Sequence, residues 1–378
     1  MVSPASPLAA AARPALVALV AAALLAAIAG GLARAGVALP DGALSAHSAG
    51  SHAALMLSVF FGAVIAVERA VALGRPWAFA APFAAGAAGV LMLVGEPTAA
   101  SALGVVAAST FVAVNVALMR RQMSATAAIL LLGALAWLAG NATGLAWPGD
   151  PAAIVCWFAF PVLTVTAERL ELTQFMPRRP AARLLLALVV LTVVAGAASS
   201  PFDAVAGALA FGAGLLGLAA WLFAYDVVRR TISMPGLARY MAVSLLAGYA
   251  WLGVAGLAWI GTAVGCPGRD MALHALGIGF VFSMVMGHAP VIVPAVTGVK
   301  LRFGAAFYAP LVLLHGSLAL RLFAGIGEPG WRALGARLNA AAIGLFLLTV
   351  AGAALLARFD ATRTRTTRRR IASEGTRT

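Results

Sequence analysis

His274 and His288 stand fourteen residues apart in one apolar run, Met271 to Val296. At about 1.5 Å of rise and 100° per residue, such a pair shares one helix face roughly 21 Å apart. If the run spans a bilayer, one imidazole falls in each half. Histidine is the commonest metal ligand and holds haem iron in many proteins. Ionisable side chains at membrane depth are costly and mark function by default. The chain has five histidines, and His52 and His315 also lie in apolar segments. His52 opens one span at its outer end, and His274 lies about one turn into another, so these two share an outer layer. His288, about two-thirds of the way across, and His315, near the middle of the next span, share a deeper one. Two axial imidazoles from different helices, each with its second ring nitrogen bonded to a carbonyl or water, hold a low-spin haem iron. The pattern therefore predicts a haem at His52 and His274, and a second haem or copper at His288 and His315. His47 falls in the outer loop, where water suffices as a partner.

Other residues complete the picture. A haem's propionates need cations near the outer face; Arg34, Arg269, Arg321 and Arg337 are available there. Arg321 draws most attention, lying within a span about one and a half turns outward of His315. The chain lacks Cys-x-x-Cys-His, so a haem here would be b-type and non-covalent. Around His288, Pro290 and Pro294 each remove an amide donor and free a carbonyl one turn earlier, an irregularity tolerated in lipid where it lines a site or finds other partners. Glu68, Glu168, Glu171 and Asp226 each have an arginine nearby in sequence and read as boundary ion pairs. Cys156 and Cys266 read as a packed thiol and a loop thiol.

The elements that must position these residues are membrane spans. Hydrophobic residues make up 63% of the 378 and charged ones 10%, against about 25% charged in ordinary soluble domains. Apolar stretches of about 20 residues read as transmembrane helices. Twelve are predicted, beginning near residues 14, 52, 77, 98, 126, 151, 182, 203, 236, 271, 304 and 333. The fold class is all-α, a polytopic bundle over residues 1–357, with a basic, irregular cytoplasmic tail over 358–378. The first span is a signal anchor or, less favoured, a cleaved signal peptide.

The net charge of +14 points to topology rather than to nucleic acid. Arg69, Arg75, Arg120, Arg121, Arg169, Arg178, Arg179, Arg183, Arg229, Arg230, Arg239, Lys300 and Arg302 fall in alternate loops. The intervening loops carry Asp41, Glu96, Asp150, Asp203, Asp270 and Glu328. This positive-inside pattern predicts a multi-pass protein of the bacterial inner membrane with both termini cytoplasmic.

His52-Ala53-Ala54-Leu55-Met56 opening a span, and His274-Ala275-Leu276-Gly277-Ile278-Gly279 leading to Gly287-His288, resemble the NnrS-like group of polytopic membrane proteins. Leu55 stands where that pattern carries an acid. The resemblance implies haem and copper binding and a role in nitric oxide handling during denitrification. Gly287-His288-Ala289-Pro290-Val291-Ile292 is more faintly similar to the copper-ligand segment of the haem-copper oxidase main subunit, without its adjacent His-His pair.

An electron carrier, a nitric oxide sensor and a haem-dependent oxidoreductase would all use these ligands, with a redox protein or quinol as partner. The principal rival is a proton-coupled secondary transporter, in which His288 and His315 are protonation sites and Glu68 and Glu168 belong to gate ion pairs. A cofactor-free assembly partner is the third class.

Overall fold

The computed structural model describes residues 7–173 and 180–374. All regular structure among them is helical, and twelve helices are long and apolar enough to cross a membrane. In chain order these spans are Ala12–Arg34, Ala54–Leu73, Pro76–Leu93, Pro97–Arg121, Ala125–Ala146, Ala152–Thr173, Pro180–Ser199, Ala204–Tyr225, Leu237–Ala263, Arg269–Thr297, Ala305–Ala324 and Pro329–Phe359. Each expected span is present within a few residues of its expected start. The chain is an all-α polytopic bundle suited to a lipid bilayer. Arg178 and Arg179 of the charge pattern lie outside the described residues.

The sixth span is the axis of the bundle: 83% of its apolar window is buried, against 28% for the first span and 22% for the twelfth. Small residues let other spans approach one another. Gly212 and Gly256 face each other so closely that a Cβ on either would sit 2.7 Å from the other's carbonyl oxygen. The eighth and ninth spans thus meet backbone to backbone, the contact that replaces hydrophobic attraction between helices in lipid. The acids of the arginine-poor loops also have local work. Asp203 accepts from the amides of Val205 and Ala206 at 3.0 and 2.9 Å, and Asp150 accepts from Ala152 N at 2.8 Å, capping the helix starts that follow.

Among the described residues, three spans carry π-helical segments. The second carries a π-helical segment at Ala54–Phe61, the tenth at Ala275–Phe282 and the eleventh at Leu320–Ala324. Such wide turns are rare and gather at functional sites. The irregularity expected at Pro290 and Pro294 is milder, since Ser283–Thr297 stays α-helical through both. The carbonyl that Pro290 cannot engage is that of Met286, and it accepts the Tyr240 hydroxyl at 3.1 Å.

The basic tail expected to be irregular continues the last helix to Glu374. Extending an existing helix needs no new nucleus, and Arg and Ala are good helix formers.

Candidate functional site

Two of the predicted residues meet. The His52 and His274 rings have centroids 6.4 Å apart and planes 18° from parallel. They come from the entrances of the second and tenth spans, whose π-helical segments begin within two residues of them. Imidazoles sharing one metal ion through facing nitrogens at about 2.0 Å each would have centroids roughly 6 Å apart.

The outer nitrogens of both rings are tied down. His52 Nδ1 donates to the Ala27 carbonyl of the first span at 2.7 Å. His274 Nδ1 donates to the Asp270 carbonyl at 3.0 Å and lies 3.0 Å from that residue's Oδ1. With Nδ1 carrying the proton, Nε2 of each ring keeps its lone pair, the arrangement that orients metal-binding histidines elsewhere. His52 sits just ahead of the span Ala54–Leu73, and its pKa is lowered to about 4. Burial is the main cause, followed by the His274 ring, with Arg321 and Arg34 adding to it. The neutral form, which alone can ligate, is the one this site favours. Gly31 makes room for the ring: a Cβ there would fall 2.8 Å from His52 Cε1.

Asp270 is the residue that sequence reasoning passed over, counting it as loop charge. It takes two bonds from Arg321, Nε to Oδ2 at 3.1 Å and Nη2 to Oδ1 at 2.7 Å. Arg321, expected to meet a haem propionate, instead holds the carboxylate that holds His274. The spacing of Asp270 and His274, four apart on one helix face, was the available signal. Arg321 itself belongs to the third π-helical segment and is 8% exposed. All three π-helical segments therefore adjoin this one cluster.

Eight residues further along the same two spans, Phe60 and Phe282 repeat the pairing, with centroids 6.2 Å apart and planes 12° from parallel. Phe61 meets Phe282 edge to face at 5.3 Å. Ser58 anchors the second span's π-helical segment, donating to Asn141 Oδ1 at 2.7 Å and accepting from Trp137 Nε1 at 3.0 Å. The histidine pair thus stands above an aromatic pair on two locked helices.

The deeper histidines are placed differently. His288 Nδ1 donates to the Met284 carbonyl of its own helix at 2.7 Å. His315 Nδ1 accepts from Trp251 Nε1 at 3.0 Å, so its proton resides on Nε2, which faces Ser283 Oγ at 3.3 Å. The serine hydroxyl passes its own proton on to the Ser244 carbonyl at 2.6 Å. Both nitrogens of His315 are engaged, and neither ring partners the other. The arrangement expected for an inner metal at His288 and His315 is not what these contacts form; His315 ties the eleventh span to the ninth and tenth. His47 Nδ1 bonds the Leu93 carbonyl at 3.0 Å, a protein partner in place of the expected water. Among the described residues, no three His, Cys, Asp or Glu side chains gather as a metal-holding cluster.

At the arginine-rich face the boundary acids divide. Glu68 pairs with its neighbour Arg69 at 3.0 Å, as expected. Arg169 reaches past Glu168 to Asp226, 3.2 Å away, and both partners are almost fully buried. Asp226 also accepts from the Tyr249 hydroxyl at 3.0 Å and from Val228 N at 2.8 Å. This fully bonded carboxylate locks the sixth, eighth and ninth spans together.

No curated protein and no solved structure matches the chain. The family model described as Domain of unknown function (DUF8744) matches residues 13–355, and the chain belongs to that family.

Proposed function

We propose that the protein holds one b-type haem between its second and tenth spans, with His52 and His274 as axial ligands, and serves redox chemistry or nitric oxide handling in the manner of the NnrS-like group. The observation that supports this reading is the outer pair itself: two imidazoles from different helices, 6.4 Å apart, each with Nδ1 engaged and Nε2 left as donor. His52 and His274 would hold the haem, which would supply one-electron and diatomic-gas chemistry when bound. The protein's own part is to hold both rings in one tautomer through their Nδ1 bonds, and to orient His274 through Asp270 and Arg321. With Arg321 engaged by Asp270, Arg34, Arg269 and Arg337 are the cations left for a propionate. Copper, the other expected metal, would draw on the same outer imidazoles or on His288 Nε2. The charge pattern of the loops supports an inner-membrane location with both termini in the cytoplasm, where a quinol or a redox protein is the partner.

The test is a reduced-minus-oxidised absorption spectrum of the purified protein, with a metal assay on the same sample. Sharp reduced haem bands that disappear in His52→Ala and His274→Ala are expected. A colourless, metal-free protein from haem-replete cells would sink the reading. The secondary-transporter reading would then lead, supported by the buried Arg169–Asp226 pair, since intramembrane charges commonly serve proton and ion coupling.

A further inference from the structure

We propose that a cleft at the arginine-rich face, between the fifth, sixth, seventh and eighth spans, is a binding site for an anionic phospholipid. This inference stands apart from the haem reading and uses none of its residues. The cleft has a volume of about 1510 Å³, beyond the roughly 300–1,000 Å³ of small-molecule pockets. Its lining is divided in the way an amphiphile requires. Arg183, Arg229 and Arg230 line it, and Glu171 is the one acid among its described lining residues. Arg69 lines it too, but its charge is already met by Glu68. Arg229 gives one bond to the Ala224 carbonyl at 3.2 Å and keeps its other donors.

Depth follows charge. Along the seventh span, Arg183, Leu186 and Val190 all line the cleft, three and then four residues apart and so on one helix face. Their rise carries the lining from a cation to apolar surface about 10 Å deeper. Ile129 of the fifth span adds apolar surface to the lining. Trp221 closes the side, its Nε1 donating to the Ala182 carbonyl at 2.7 Å and fixing the seventh span to the eighth. Tyr225 stands beside it in the lining; Trp and Tyr favour the headgroup level. A quinol would fill the apolar part but gain nothing from three arginines. A phosphodiester over two acyl chains uses both parts, and basic pockets between spans on the cytoplasmic side bind such headgroups.

The test uses the full chain in detergent, equilibrated with equal amounts of phosphatidylglycerol and phosphatidylcholine, with bound lipid counted by native mass spectrometry. At about 1 kcal/mol per cation, each arginine is worth roughly a fivefold preference. Wild type should therefore retain phosphatidylglycerol at least fivefold over phosphatidylcholine. Arg183→Gln, Arg229→Gln and Arg230→Gln together should bring the two within about twofold, while Arg120→Gln with Arg121→Gln, on the same face but outside the cleft, should keep the preference. Equal retention by wild type would overturn the proposal, as would equal loss in the control variant. Full displacement of the lipid by inorganic phosphate would assign the cleft to a soluble anion instead. If the cleft variant does not fold, rising salt decides on wild type alone: a preference set by exposed charge falls with screening, and one that stays constant overturns it.

Discussion

His52 with His274 and His288 with His315 are the same residue type in the same kind of helix, yet the protein treats them in opposite ways. In the outer pair each ring is anchored through one nitrogen by a backbone carbonyl, and the rings face each other across 6.4 Å. Of the deeper pair, His315 is engaged through both nitrogens and His288 bonds back to its own helix. His274 and His288 both bond Nδ1 to a carbonyl of their own helix, so what distinguishes the outer layer is the second imidazole 6.4 Å away. The local backbone reinforces the contrast: π-helical turns begin within two residues of His52 and His274, whereas none begins so close after His288 or His315.

The comparison breaks most sharply on haem content. His52→Ala and His274→Ala should each lower haem affinity by more than about 100-fold, beyond the 10–100-fold cost of losing a supporting group. His288→Ala and His315→Phe should leave it at the wild-type value. Equal loss in all four would show that the two layers are not different in kind and would reinstate the inner site.

One step out from the ligands, Asp270→Asn keeps the shape but removes the charge that Arg321 and His274 share. Second-shell changes of this sort cost about 10–100-fold in affinity, so haem should dissociate faster by that order and the midpoint potential should move. Arg321→Met should follow Asp270→Asn in direction. A variant with unchanged haem retention and unchanged potential would demote the Arg321–Asp270 pair to a helix clamp.

Smaller still is the effect of filling the space beside His52. Gly31→Ala places a Cβ 2.8 Å from Cε1 of that ring, closer than packing allows, and overpacking of this size costs about 1–3 kcal/mol. The ring can tilt, so the lower end is expected, visible as a several-fold weaker haem affinity without loss of expression. The matching change on the deeper layer, at Gly316, meets open space and should do nothing.

The sequence carried the spans because their signal is composition alone: about twenty apolar residues between charged loops. It carried the outer pair because both histidines sit at span entrances, where depth can be counted. It missed the roles of Asp270 and Trp251 because those are tertiary. A carboxylate in a short loop looks like topology charge until Arg321, fifty-one residues on, is seen to reach it. The π-helical segments were invisible for a related reason. Ala54–Phe61 and Ala275–Phe282 are almost wholly apolar, so there is no polar face from which to read a change in winding.

The finest test lies inside the deeper layer. Trp251→Phe removes the donor to His315 Nδ1 and leaves a half-buried acceptor without its partner, which costs about 1–3 kcal/mol. His315→Phe likewise leaves the Trp251 indole N–H and the Ser283 hydroxyl short of one contact each. If His315 is structural, replacing both should cost less than the two single changes together, with a coupling of about 1 kcal/mol in thermal or denaturant unfolding. Haem content should not move in any of the three. If His315 instead serves proton transfer or metal binding, Trp251→Phe would free its nitrogen and alter activity while the stability coupling vanished. The sign and size of that coupling therefore decide whether the second histidine layer holds the bundle together or works alongside the first.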